Sequence, residues 1–149
     1  MSNISPTDLG SPTTSQPVFR LAVILHKSLS GGSAANVAAI IAGGLKCEAF
    51  GPPIMDKGGN AHASIRWNMP ILKAKTNGQL QTLMEKSTAH PGVESVAFCD
   101  EGRLLSNNFA EYHNLIQGSE PSELSLLAVG VFGSDKDVRD LTRAFSLYQ

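Results

Sequence analysis

Residues 19–42 decide the fold: FRLAVIL at 19–25, then SGGS at 30–33 and AANVAAIIA at 34–42. The run 21–25 is apolar without alternation, which is typical of a strand buried on both faces. The small and apolar residues of 34–42 favour a helix, and a hydroxyl of Ser30 or Ser33 can satisfy an orphan N–H at its start. The chain therefore opens with a strand, a glycine-serine loop and a helix.

Strands and helices alternate through the rest of the chain. Apolar runs predict further strands at 69–74, 93–99 and 124–132, which makes four strands with the first. Helices are predicted after Thr76, from 106–108 onward, and after Ser134, where a serine or threonine precedes each helical pattern. The connection 47–68 is weakly patterned, and its residues 61–67 fit either a short strand or an irregular loop. This alternation indicates a three-layer α/β domain.

The composition describes an ordinary globular protein and excludes several classes. The 149 residues carry 12 Lys and Arg against 13 Asp and Glu, and 42% are hydrophobic. That balance excludes a basic protein that coats nucleic acid, a disordered chain and a disulfide-rich module. No stretch reaches the roughly 18 apolar residues that span a bilayer, and no targeting signal is visible. We expect a cytoplasmic protein with neither membrane nor nucleic acid as its partner.

Cysteines and histidines give no sign of a metal or a cofactor. Cys47 and Cys99 lie 52 positions apart, and no Cys or His accompanies either at ligand spacing. Free, partly buried thiols are the expected state, and a catalytic thiol paired with a distant histidine is the alternative. No cofactor is expected.

Residues 1–17 differ in composition from the rest. They are rich in Ser, Thr and Pro, and Asp8 is their only charged side chain. Such a segment cannot bury enough apolar surface to offset its ordering entropy, so we expect a flexible tail. The alternative is a strap held on the surface through Val18 and Phe19. Residues 18–149 form the single folded domain.

The glycine-serine loop is the first candidate binding site. Backbone N–H groups at the start of a helix favour anions, and Gly31 and Gly32 would let a ligand approach the backbone between Ser30 and Ser33. The alternative is a tight turn with a helix cap. Asn36 is the only polar side chain within 34–42, so it either faces solvent or reaches a site at the helix start.

A charged turn supplies the second group of candidates. Asp100 and Arg103 follow the third predicted strand, and acidic residues at the carboxyl ends of strands often line α/β crevices. The alternative is a solvated turn. His26 and Lys27 end the first strand and could enter the same site.

Three segments together resemble the domain-of-unknown-function two-thousand family. They are LAVIL at 21–25 with GGSAANVAA at 31–39, the turn at Asp100, and LAVGVFG at 127–133 with the helix after it. The resemblance covers about residues 19–147 and implies no established activity. It does imply a fold similar to peptidyl-tRNA hydrolase type II, an α/β/α sandwich with a four-stranded mixed sheet.

The chain departs from the hydrolase pattern at its cations. When Asn36 is aligned with the amide of the hydrolase pattern, Ser30 and Gly32 occupy the positions at which that hydrolase has two lysines. Asp100 matches its acidic turn, but Leu104 replaces a threonine. Without the lysines the chain lacks charge that could hold a tRNA backbone.

Two functions follow as hypotheses, and peptidyl-tRNA hydrolysis itself is kept as a third. The first is a hydrolase of an ester or amide, in which Asp100 orients water or acts as base and Asn36 helps to hold an oxyanion. The second is a domain without catalysis that binds a small ligand or a protein in the same crevice. A buried Asp100 beside Asn36 would favour the enzyme, and a solvated Asp100 near an apolar patch would favour the binding domain. A homodimer is compatible with a domain of this size.

Overall fold

A computed structural model describes residues 16–45 and 49–149. Its strands are β1 (Phe19–His26), β2 (Ile54–Met55), β3 (Ala61–His62), β4 (Ile71–Ala74), β5 (Glu94–Cys99), β6 (Leu126–Ser134) and β7 (Ser146–Leu147). Its α-helices are α1 (Gly31–Gly44), α2 (Asn77–Thr88), α3 (Asp100–Arg103), α4 (Phe109–Gln117) and α5 (Asp135–Thr142), and a 3₁₀ turn covers Pro121–Glu123.

The main sheet is mixed and has the strand order β5-β6-β1-β4-β7. β1 runs parallel to β4 and antiparallel to β6, and β6 runs antiparallel to β5. β1 and β5 therefore point the same way on either side of β6, where Leu25 and Phe98 both pair with Ala128. The carboxyl ends of β1 and β5 consequently lie at the same edge of the sheet.

Helices cover both faces of this sheet. On one face Val37 and Ile41 of α1 pack on Val23 and Leu25 of β1. On the other face the alternate β1 residues, Ala22 and Ile24, pack with residues of α2 and α5. β1 is buried on both faces because its side chains alternate between two apolar layers, and this explains its unbroken apolar run.

The prediction of four strands is wrong, since the main sheet has five. The additional strand is β7, which pairs antiparallel with β4 through Leu72 and Leu147. Two residues are too few to produce a periodic pattern, so β7 depends on the pairing partner that the fold supplies. A mixed α/β domain is confirmed, whereas nothing shows a sandwich specific to peptidyl-tRNA hydrolase type II.

The connection after α1 contains a separate two-stranded ribbon. β2 and β3 pair only with each other, through Ile54 with His62 and Met55 with Ala61. Of residues 61–67, only Ala61–His62 form a short strand, and residues 63–66 are irregular, so each of the two predictions holds for part of the segment. Residues 1–15 and Cys47 lie outside the described residues, so the predictions of a tail and of a second free thiol are not tested. Cys99 is a free thiol buried in the core.

Two of the predicted helix caps are present. The Thr76 hydroxyl accepts a hydrogen bond from Gln79 N, and the Ser134 hydroxyl accepts one from Asp137 N. Each bond satisfies an N–H at the start of a helix. The helices thus begin where the sequence places their caps.

Candidate functional site

A groove opens between α1 and the segment that carries α3 and α4, and we call it the α1–α4 groove. It has a volume of about 480 Å³. Its lining residues are Asn36, Ile40, Phe98, Gly102, Arg103, Leu105, Ser106, Asn107, Phe109 and Tyr112. Most of this surface is aromatic or aliphatic, with a few polar groups, which is the usual character of small-molecule sites.

The aromatic side of the groove is built on the end of β5. Phe98 is buried at the end of the strand, and the Tyr112 ring lies 6.4 Å from it between centroids. Tyr112 also contacts Gly102 so closely that a Cβ there would overlap its ring. Desolvation raises the pKa of the Tyr112 hydroxyl above its ordinary value, so this side chain is neutral at pH 7.

Phe109 extends this aromatic surface into solvent. It begins α4 and is 78% exposed, whereas Phe98 on the same groove is buried. α4 follows the predicted amphipathic pattern, yet none of its residues is fully buried. The helix therefore presents apolar side chains along an open groove and does not complete a core.

Of the two charged candidates in the turn after β5, Arg103 lies on the groove and Asp100 does not. Arg103 lines the groove, and its Nη2 lies 2.7 Å from Asp100 Oδ1. Asp100 itself is not among the lining residues, and its side chain is 48% exposed. The carboxylate is therefore half exposed, while Oδ1, the oxygen nearest Arg103, is shielded from solvent, and the group is positioned to orient the guanidinium.

Glu101, beside this pair, ties α3 to the start of β6. Both of its carboxylate oxygens accept a hydrogen bond from Ser125 N at 3.0 Å. Partial desolvation opposes ionisation, but hydrogen bonds from backbone groups, Ser125 among them, lower the pKa of Glu101. Its role is to fix α3 against the sheet.

The predicted glycine-serine loop is mostly helical, because Gly31, Gly32 and Ser33 form the first turn of α1 after Ser30. Its hydrogen bonds are internal. The Ser33 hydroxyl donates to Ser30 O at 2.8 Å and accepts from Ser30 N at 3.2 Å. Gly31 has a φ of 51°, a left-handed conformation that only glycine adopts without strain. Ser30, Gly31, Gly32 and Ser33 lie outside the α1–α4 groove, so a ligand role for this loop stays a prediction.

His26 and Lys27 also lie outside the groove, but His26 makes a contact that the sequence analysis missed. Its Nδ1 lies 2.7 Å from Ser28 Oγ and accepts a hydrogen bond from Ser28 N at 3.1 Å. Nδ1 is therefore an acceptor, and the hydroxyl donates to it. A serine and a histidine two positions apart in a turn gave no signal, because only the turn geometry brings them together.

The structure thus brings together Asn36 and Arg103 of the predicted site residues and adds an aromatic surface. Ile40, Phe98, Phe109 and Tyr112 were missed as site residues. Their helical spacing or strand position equally predicts a core, and only tertiary packing leaves them facing a groove.

The described part of the chain contains no helix long and apolar enough to cross a membrane. The same residues contain no group of three or more His, Cys, Asp or Glu that could hold a metal ion.

A mixed five-stranded α/β domain with an apolar groove defines the class of this protein. Within that class, the chain belongs to a family described as protein of unknown function (DUF2000), whose model matches residues 19–149. The match confirms the family expected from the sequence.

A solved structure shares the fold. It is the protein of unknown function Atu0240 from Agrobacterium tumefaciens strain C58, which is 18% identical and superposes with a TM-score of 0.74. The likeness covers 88% of this chain and 98% of that one, and at this identity it shows the fold alone. A search of curated proteins finds no match to this chain.

Proposed function

We propose that this protein binds a small, uncharged and mostly apolar molecule in the α1–α4 groove and recognises a carbonyl or amide group on it. The observation that carries this proposal is the charge of the lining. Among the described residues that line the groove, within 16–45 and 49–149, Arg103 is the only charged one, and Asp100 balances its charge at 2.7 Å.

The ion pair favours a neutral ligand over an anion. A ligand carboxylate at Arg103 would compete with Asp100 and meet its repulsion. A carbonyl oxygen can instead accept from guanidinium N–H groups that Asp100 leaves free, since arginine has five donors. The Asn36 amide offers both a donor and an acceptor across the groove. Burial of the apolar part against Phe98 and Tyr112 supplies the hydrophobic gain.

The test compares two probes of the same shape. Phenylacetamide and phenylacetate are titrated into the isotopically labelled protein while backbone amide shifts are followed by NMR. We expect shifts around residues 98–112 and tighter binding of phenylacetamide. Arg103→Met should weaken phenylacetamide binding about 10-fold, and Asn36→Leu should act in the same direction.

Lys86→Met is the matched control, because Lys86 is a cation on the groove between α2 and α5. It should leave the affinity unchanged. The proposal fails if neither probe shifts these amides, or if phenylacetate binds more tightly than phenylacetamide.

A second candidate, hydrolysis of an ester, is favoured by the Ser28–His26 contact. His26 Nδ1 at 2.7 Å can take the Ser28 proton as the hydroxyl attacks a carbonyl carbon, which is the nucleophile and base arrangement of covalent hydrolases. In the hypothesis drawn from the sequence, Asp100 is the base and Asn36 holds the oxyanion. The half-exposed carboxylate beside Arg103 better suits a positioning residue.

This candidate is tested with p-nitrophenyl butyrate. If Ser28 is the nucleophile, Ser28→Ala should lower turnover at least about 100-fold, whereas Ser122→Ala, at an exposed serine, should not. Asp100→Asn tests the alternative base in the same assay. Turnover by the wild type that is no faster than the buffer rate rejects hydrolysis of this ester.

A further inference from the structure

A second groove lies on the other face of the sheet, between α2 and the end of α5, and we call it the α2–α5 groove. It has a volume of about 460 Å³. Its floor is the buried side chain of Leu83, with the partly buried Leu141 and Phe145 packed on the same apolar core. An apolar floor in a groove of this size can bury the hydrocarbon part of a small ligand.

One stripe of α2 forms a whole side of this groove. Thr76, Gln79, Thr82 and Lys86 follow one another at intervals of three or four positions, which places their side chains on one side of the helix. Thr76 caps the start of α2 and Lys86 lies in its last turn, so the stripe is about 15 Å long. The groove is therefore elongated, with polar groups at both ends and an apolar middle.

The polar groups at the start of α2 bond to one another. The Thr76 hydroxyl accepts a hydrogen bond from Gln79 N, and Gln79 Oε1 accepts one from Lys75 N at 2.8 Å. Both bonds satisfy backbone N–H groups where the helix begins. The acceptor oxygens at this end of the groove are therefore already engaged.

The donors at the other end of the groove are free. Within residues 16–45 and 49–149, neither the Lys86 ammonium nor the Thr82 hydroxyl has a hydrogen-bond or ion-pair partner. The two residues are four positions apart on α2, so their side chains are neighbours on the helix surface. An ammonium and a hydroxyl side by side can each donate to one oxygen of a carboxylate.

The two grooves differ in charge. In the α1–α4 groove Asp100 balances the charge of Arg103. In the described part of the chain, Lys86 is the only charged residue that lines the α2–α5 groove, and no acidic side chain lines it. An anion at Lys86 would thus gain a favourable charge interaction and meet no repulsion from a lining carboxylate. One cation suits a ligand with one negative charge.

We propose that the α2–α5 groove binds a small amphipathic monocarboxylate, with its carboxylate at Lys86 and Thr82 and its hydrocarbon chain along Leu83, Leu141 and Phe145. Charge complementarity selects the head group. An exposed ion pair contributes little affinity, so burial of the chain supplies most of it. This site is separate from the α1–α4 groove and does not depend on the ligand proposed there.

The test compares hexanoate with hexanamide, which has the same chain and no charge. Each is titrated into the isotopically labelled full chain while backbone amide shifts are followed by NMR. We expect hexanoate to shift the amides of 76–86 and 141–145 and to bind about 3–5-fold more tightly than hexanamide. Lys86→Met should remove this preference, and Thr82→Val should weaken hexanoate binding about 3-fold.

Lys57→Met and Thr88→Val are the matched controls, because both residues are exposed and lie outside the groove. Neither should change the affinity for hexanoate. Circular dichroism checks that each variant is folded, and Lys86→Gln replaces Lys86→Met if the latter is not.

Three results would overturn the proposal. They are the absence of shifts at these amides, equal affinities for the two probes, and an equal loss of affinity in Lys57→Met and Lys86→Met. Amide shifts at 76–86 that change with protein concentration alone would also overturn it, because a second copy of the chain would then occupy the groove.

Discussion

The ring of Tyr112 rests directly on the backbone of Gly102, with no room for a side chain between them. This contact joins α4 to α3 and forms one side of the α1–α4 groove. Cys99 Sγ would lie 3.4 Å from the same added Cβ, so the strand end below is also close. Glycine at 102 is therefore required for the close approach that shapes the groove.

Gly102→Ala should displace Tyr112 and distort the groove. We expect a loss of about 1–3 kcal/mol in the free energy of unfolding, because an inserted methyl group has to move a packed ring. Phenylacetamide binding should weaken in the same variant. Urea unfolding and the NMR titration measure the two effects. Gly78→Ala is the control, since a Cβ there would meet Thr76 Oγ1 at an ordinary 3.8 Å. Equal stability of the two variants would contradict this account.

Gly130→Ala should destabilise the fold by separating α1 from the sheet. A Cβ on this β6 residue would overlap Ile41 Cγ2 and lie 3.2 Å from Leu45 Cδ1. The cost of overpacking is again about 1–3 kcal/mol, measured by thermal or urea unfolding. An unchanged unfolding midpoint would mean that α1 moves away from β6 without loss.

Arg20→Met should remove a largely buried ion pair between β1 and α5. Arg20 Nε donates to Asp135 Oδ1 at 2.7 Å, and the arginine side chain is only 9% exposed. In this variant Asp135 would still be paired with Arg139 at 2.8 Å, so its charge is not left without a partner. We therefore expect the free energy of unfolding to fall by only about 2–3 kcal/mol at pH 7. Arg143→Met, which removes an exposed pair with Asp140, should cost less than about 0.5 kcal/mol.

The same pair predicts how stability changes with acid. Desolvation opposes ionisation of Asp135, but the hydrogen bonds from Arg20 and Arg139 hold its pKa below the ordinary value of 3.8. The stabilisation that the Arg20–Asp135 ion pair contributes is therefore complete above pH 3.8, the ordinary pKa of the aspartate. It is lost as the pH falls through the lower pKa of Asp135 in the folded state. Unfolding free energies from pH 7 to pH 2 should show a smaller acid loss for Arg20→Met than for the wild type. Parallel curves would exclude this pair as a source of acid lability.

Asp56 should titrate at an unusually low pH for an exposed carboxylate. The hydrogen bond from His62, with those from Asn60 and Gly58, lowers its pKa to about 2. The carboxyl ¹³C shift measured by NMR should show that midpoint, and His62→Ala should move it toward 3.8. A wild-type midpoint near 3.8 would show that the turn of the ribbon is open in solution.

Ser87→Ala should stabilise the protein by about 1 kcal/mol. Ser87 is fully buried in α2, and its hydroxyl has no hydrogen-bond partner within the described ranges 16–45 and 49–149. Alanine removes a desolvated polar group and is the better helix former. Thr142→Val is the matched opposite, because it deletes a buried hydrogen bond from Thr142 Oγ1 to Val138 O. Stabilisation by both substitutions, or by neither, would contradict the reasoning.

Much of the fold could be predicted from local signals. The apolar run 21–25 marks a strand, and the caps at Thr76 and Ser134 mark the starts of helices, because these signals act within a few residues. The helix predicted for 34–42 is longer at both ends, since α1 spans Gly31–Gly44. β7 gave no such signal, since Ser146 and Leu147 become a strand only by pairing with β4. The strand order could not be predicted from the sequence either, because strand pairing depends on contacts between segments far apart in the chain.

The candidate site could be predicted only in part. Asn36 and Arg103 were found because an isolated amide in an apolar helix and a charged turn after a strand are conspicuous in sequence. The catalytic role of Asp100 stays a prediction, and the structure places its half-exposed carboxylate against Arg103. Phe98 and Tyr112 looked like core residues, since the apolar stripe of an amphipathic helix is the same whether it meets a core or a groove.

The sequence by itself determined the family, the α/β class and the starts of the capped helices, because these depend on residue type and short-range spacing. Only the tertiary structure decided which apolar side chains are covered. α4 meets the rest of the chain through Tyr112 and leaves Phe109 open, and the ribbon holds Ile54 and Met55 in solvent. Burial depends on how distant segments pack against one another, and that information is not contained in any single stretch of the chain.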